Sequence, residues 1–137
     1  MPDAPVQNGW DPATTALIEL LPRTARGPRR EGIFALWLTV RVAQDLLLDP
    51  PPPERAYRRR IAALEQRLSS LTLPPPLRRA LSGAIAQLRE ARSEVASSVL
   101  SQLAAPARET AGSEAGDAVA LAARAARQLA NARRSGA

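Results

Sequence analysis

Two leucine-rich stripes separated by three consecutive prolines constrain this chain more than any other feature. Tyr57, Ile61, Leu64, Leu68 and Leu71 recur at alternating steps of four and three residues, and Leu77, Leu81, Ile85, Leu88, Val95, Val99 and Leu103 keep nearly the same rhythm. That spacing lines each set along one face of a helix. Thr72-Leu73-Pro74-Pro75-Pro76 stands between them. A continuous helix does not cross it, because proline lacks the amide hydrogen and clashes with the preceding turn. The stretch from Glu54 to Leu103 therefore predicts an αα-hairpin.

Folding back at that turn sets Ile61 against Leu88, Leu64 against Ile85 and Leu68 against Leu81, so apolar residues meet at every layer of an antiparallel seam. The same alignment brings Arg55, Arg58, Arg59 and Arg60 beside Glu90 and Glu94. The second helix of the hairpin is expected to run unbroken to about Ala104, a length of roughly 40 Å. It outruns its partner, so Val95, Val99 and Leu103 call for a cover from elsewhere. Pro106 is expected to close it, with residues 107–112 as a loop.

Upstream, Asp11-Pro12 marks a helix start, with Asp as cap and Pro at the first helical position. Leu17, Ile18, Leu20 and Leu21 follow before Pro22, and Trp10 just ahead reads as a local packing residue. A second helix opens near Pro28 and reaches about Leu48. Ile33, Leu36, Val40, Ala43, Leu46 and Leu47 share its broad apolar face, with Arg41, Gln44 and Asp45 opposite. Phe34, Trp37 and Leu38 fall on that polar side, where they need a cover: the short first helix or a partner protein. Pro50 to Pro53 read as a stiff spacer rather than a polyproline ligand.

A last helix begins near Ser113, with Glu114 and Asp117 complementing the positive end of its dipole. Its stripe of Val119, Ala122, Ala126 and Leu129 is mostly alanine, which demands close backbone approach. These elements predict an all-α chain: an antiparallel up-down four-helix bundle with a short extra N-terminal helix. Residues 1–10 are expected to be a disordered arm, residues 11–134 a single bundle domain and residues 135–137 a frayed end. The thin, alanine-rich core adds an expectation of self-association, with coiled-coil-like seams and a homo-oligomer.

Composition narrows the chemistry. The 137 residues contain no Cys, so disulfides and thiolate metal sites are excluded, and no His, the commonest general base and transition-metal ligand. Glu90 and Glu94 lie one turn apart but have arginine neighbours, and the serines have no base beside them. We expect no enzyme, no catalytic or metal-binding residue and no cofactor.

The net charge is +6, and all 19 basic residues are Arg. With abundant Ala, Leu and Pro, this reads as the imprint of a GC-rich bacterial genome before it reads as a nucleic-acid footprint. The longest apolar run, Ile33 to Val40, is about half a membrane span, and the first twenty residues lack a secretory pattern. We expect a cytoplasmic protein without stable membrane insertion.

By elimination, the reading is a protein-protein interaction or assembly module, whether adaptor, chaperone or structural subunit. Phe34, Trp37, Leu38, Val95, Val99 and Leu103 are its candidate partner-binding residues. The alternative is an Arg-rich nucleic-acid-binding helical protein using Arg55, Arg58, Arg59 and Arg60.

Overall fold

A computed structural model describes residues 10–48, 50–90 and 92–136, with Trp10, Asp11, Ser93 and residues 134–136 described by backbone alone. The expected arm before residue 10, the packing role of the Trp10 side chain and the last residue, Ala137, lie outside that description.

The described chain is all-helical: α1 (Trp10–Leu20), a short 3-10 turn (Leu21–Arg23), α2 (Pro28–Asp45), α3 (Glu54–Ser69), α4 (Pro75–Leu88), α5 (Ser93–Ala111) and α6 (Ser113–Gly136). Pro28 opens its helix as expected, whereas α1 begins at Trp10, so Asp11 and Pro12 lie within its first turn rather than at its cap and first position. Pro28 and Pro75 occupy first helical positions, where a missing amide hydrogen removes no intrahelical bond.

Four helices close a ring: α1 packs on α2, α2 on α5, α5 on α6, and α6 back on α1. The α5–α6 pair is the most extensive of these contacts. The hairpin of α3 and α4 lies outside the ring, with α4 along α5 and α3 beside α2. The stripe residues behave as their spacing requires: Tyr57, Ile61, Leu64 and Leu68 of α3 and Leu77, Leu81, Ile85 and Leu88 of α4 are all buried. Near the turn, Leu68 of α3 and Leu81 of α4 line one small cavity together with Leu73. Tyr57 and Glu65, two turns apart on α3, both reach the same end of α4, at the Leu88 carbonyl and the Arg89 guanidinium respectively. The α3 and α4 backbones approach each other at few points.

The expected long helix is instead two. The Leu88 carbonyl, which would accept from the Arg92 amide in a continuous helix, accepts a 2.7 Å hydrogen bond from the Tyr57 hydroxyl. The last turn of α4 tightens, with the Glu90 amide donating to the Gln87 carbonyl at 3.0 Å, and Arg92 is extended. The chain then turns back. Gln87 donates to Gln102 at 2.9 Å, although those residues would stand about 22 Å apart on a straight helix.

Pro106, expected to end a helix, lies inside α5. Its ring leaves the Gln102 carbonyl without its helical donor, a defect of about 3 kcal/mol in an isolated helix. The helix continues because Leu103, Ala107 and Ala111 go on burying one face, and tertiary packing outweighs propensity. The connection to α6 shrinks to Gly112, whose φ of 103° suits glycine. Arg29 seals this joint by donating from Nε to the Ala111 carbonyl at 3.2 Å, placing a cation at the negative end of α5.

Alanine lines the α5–α6 seam. Ala107 and Ala111 are buried with Ala115, Ala118, Ala122 and Ala126. A Cβ on Gly116 would stand 2.7 Å from the Arg108 Cβ and 3.0 Å from its Cα, so the two rods touch nearly backbone to backbone there.

Candidate functional site

The ring buries one face of α2 through Ile33, Leu36, Val40 and Ala43. This leaves its other flank, bearing Phe34, Trp37, Leu38 and Val42, half-buried. These are the large side chains that fall out of phase with the stripe. The helix that comes alongside them is α3, not α1, which packs on α2 and α6.

The α2 and α3 surfaces enclose a groove of about 610 Å³. Phe34, Leu38, Val42 and Leu64 contribute apolar surface, Ala63 lies on the α3 side, and Leu48, 43% exposed, marks one end. Arg41, Arg60 and Arg67 supply its cations, and Asp45 its carboxylate.

Aromatic stacking organises the cations. The Phe34 and Trp37 rings lie 6.0 Å apart at an interplanar angle of 24°. The Arg41 guanidinium sits 4.8 Å from the Trp37 ring centroid, and that of Arg67 sits 5.3 Å from the Phe34 centroid. The order is guanidinium, indole, phenyl, guanidinium. Such contacts hold an arginine head in place at the surface while leaving its hydrogen-bond donors available. Neither Arg41 nor Arg67 forms a salt bridge with a carboxylate among the described residues.

Arg60 differs. It bonds Asp45 at 2.6 Å, and the Asp45 side chain is only 9% exposed. Asp45 stands at the C-terminal end of α2, where the helix dipole disfavours an anion, so Arg60 neutralises a carboxylate that would otherwise be buried alone. Tyr57 lies close by. Burial, with the Asp45 charge adding to it, pushes its phenol well above the ordinary range for tyrosine.

The expected acidic partners of the arginine cluster are replaced. Arg58 bonds Glu54 on its own helix, Glu90 bonds Arg92, and Arg89 bonds Glu65. With α4 ended at Leu88, Glu90 and Glu94 no longer follow the alignment that would carry them along α3. Arg55, Arg58 and Arg59 share an exposed stretch of α3.

The other candidate contact residues separate cleanly. Val95, Val99 and Leu103 are at most 7% exposed. The break between α4 and α5 brings α5 into the ring, so the uncovered overhang expected for a single long helix does not exist, and these three belong to the core. Phe34, Trp37 and Leu38 remain at the surface. Val42, Leu48, Ala63 and Arg67 join them only because α3 lies alongside, which no spacing within either helix discloses.

Among the described residues no group of three or more acidic side chains is placed to hold a metal ion, and no helix is long and apolar enough to cross a membrane. Compared with known proteins, the chain matches no family model, no curated protein and no solved structure.

Proposed function

We propose that the chain is a non-enzymatic helical module that works by contact and docks a protein partner in the α2–α3 groove. In this reading the ring of α1, α2, α5 and α6 is an antiparallel, up-down frame inside the cytoplasm, and α3 supplies the groove's second wall. The observation that carries the reading is the half-covered apolar flank of α2, where Phe34, Trp37 and Leu38 stand outside the core beside a groove of about 610 Å³. An apolar floor with a polar rim is the usual anatomy of a docking surface.

A photo-crosslinking residue placed at Ala63, inside the groove, and in a second variant at Ala62, beside Arg55 and Arg59 on the other flank of α3, tests this in cells. Adducts at position 63 that are absent at position 62 and vanish with Leu38→Glu are expected. Equal labelling at both positions, or labelling indifferent to Leu38→Glu, sinks the reading.

A nucleic-acid role is the second reading. It is supported by Arg55 and Arg59, which are exposed on α3 and have no salt bridge to a carboxylate among the described residues. Duplex DNA binding that weakens steeply with salt and is lost in Arg55→Gln/Arg59→Gln would favour it.

A further inference from the structure

We infer that the groove's partner is an amphipathic helix carrying carboxylates along its flanks. This rests on the docking role proposed above and goes on to name the chemistry of the occupant.

Shape comes first. From Phe34 to Asp45 the groove follows α2 for twelve residues, about 17 Å at the helical rise. A cleft of that length between two helices suits about three turns of a third helix, whose apolar side chains at successive turns would meet Phe34, Leu38 and Val42.

Charge then chooses among helices. Three arginines and one aspartate line the groove, and Arg60 is engaged by Asp45. Arg41 and Arg67 are left, held over Trp37 and Phe34 with their outward donors unspent on any described carboxylate. Each presents a planar fork matched to a carboxylate. Because ring stacking already restrains both heads, less side-chain freedom is lost on pairing. The same feature disfavours a second copy of this chain as occupant. A two-fold interface sets a patch against itself, which here would oppose arginine to arginine within a chain of net charge +6.

The test uses the full-length chain and three labelled 18-residue helical peptides that share one leucine face and carry Glu, Gln or Lys along both flanks. Fluorescence anisotropy should show the Glu peptide binding about tenfold more tightly than the Gln peptide, from two exposed pairs of roughly 0.7 kcal/mol each. The Lys peptide should bind weakest. Arg41→Gln/Arg67→Gln should erase the preference, whereas Arg55→Gln/Arg59→Gln, which removes equal charge outside the groove, should preserve it. Circular dichroism of each variant checks that the fold is intact.

Glu and Gln peptides that bind equally yet are both lost with Leu38→Glu would overturn the acidic partner and leave groove docking standing. Binding by none of the peptides, binding only to anionic lipid vesicles, or self-association abolished by Leu38→Glu would each overturn it too. Failure of the docking role itself is read separately, from the crosslinking at Ala63.

Discussion

The hydroxyl of Tyr57 and the carbonyl of Leu88, 31 positions apart in sequence, are joined by a buried 2.7 Å hydrogen bond. This one bond satisfies the phenol at the residue where α4 ends. Tyr57→Phe keeps the ring and strands the carbonyl, so it should lower stability by about 1–2 kcal/mol, measured by urea denaturation.

The same residue sets an alkaline limit. The folded state raises the Tyr57 pKa, through burial first and Asp45 second. The neutral phenol is therefore the favoured form, and its contribution is complete below the unfolded value of about 10. Above that pH the unfolded chain releases a proton that the folded chain retains, and stability falls by up to about 1.4 kcal/mol per pH unit. Denaturation series at increasing alkaline pH should show this decline in the wild type and a shallower one in Tyr57→Phe. Parallel curves would contradict the assignment.

Two glycines offer a matched comparison on exposed and crowded helix surfaces. A Cβ at Gly83 meets nothing within 4 Å, whereas one at Gly116 runs into the Arg108 backbone. Gly83→Ala should stabilise by up to about 1 kcal/mol through helix propensity. Gly116→Ala should destabilise by about 1–3 kcal/mol, since α5 and α6 must part to admit the methyl group. Melting temperatures moving in opposite directions would verify the close approach.

Pro106 predicts a gain. Pro106→Ala restores a donor to the Gln102 carbonyl in the middle of α5 and should add about 1–3 kcal/mol, seen as a higher denaturation midpoint. A loss instead would mean that the proline bends α5 to seat Leu103 and Ala107.

Much of the core was legible in the spacing of apolar residues. Tyr57, Ile61, Leu64 and Leu68 are buried as their four-and-three rhythm requires, and Pro28 opens α2 where its missing amide does no harm. What escaped was tertiary in origin. Residues 89–92 contain no helix breaker, and the break there is tied to a phenol on another helix. Pro106 does carry a breaking signal, but Leu103 before it and Ala107 and Ala111 after it bury one continuous face and override the signal. With those two points displaced, the hairpin moved from the centre of the fold to its outside, and Val95, Val99 and Leu103 moved from surface to core. Phe34, Trp37 and Leu38 fall out of phase on α2, and Phe34 and Leu38 of the three line the groove. The cations stacked on the Phe34–Trp37 pair were not foreseeable as a set, because Arg67 arrives from α3.

The alanine seam also bears on motion. Alanine has no rotamers to freeze, so α5 and α6 become ordered against each other without that entropic loss, and their near backbone contact at Gly116 leaves little room for sliding. The frame behind α2 is thereby a stiff spine. In contrast, α3 meets α2 at fewer backbone points and is held by its buried Tyr57, Ile61, Leu64 and Leu68 together with the Arg60–Asp45 pair, so the cleft's second wall is set by side chains rather than by backbone contact.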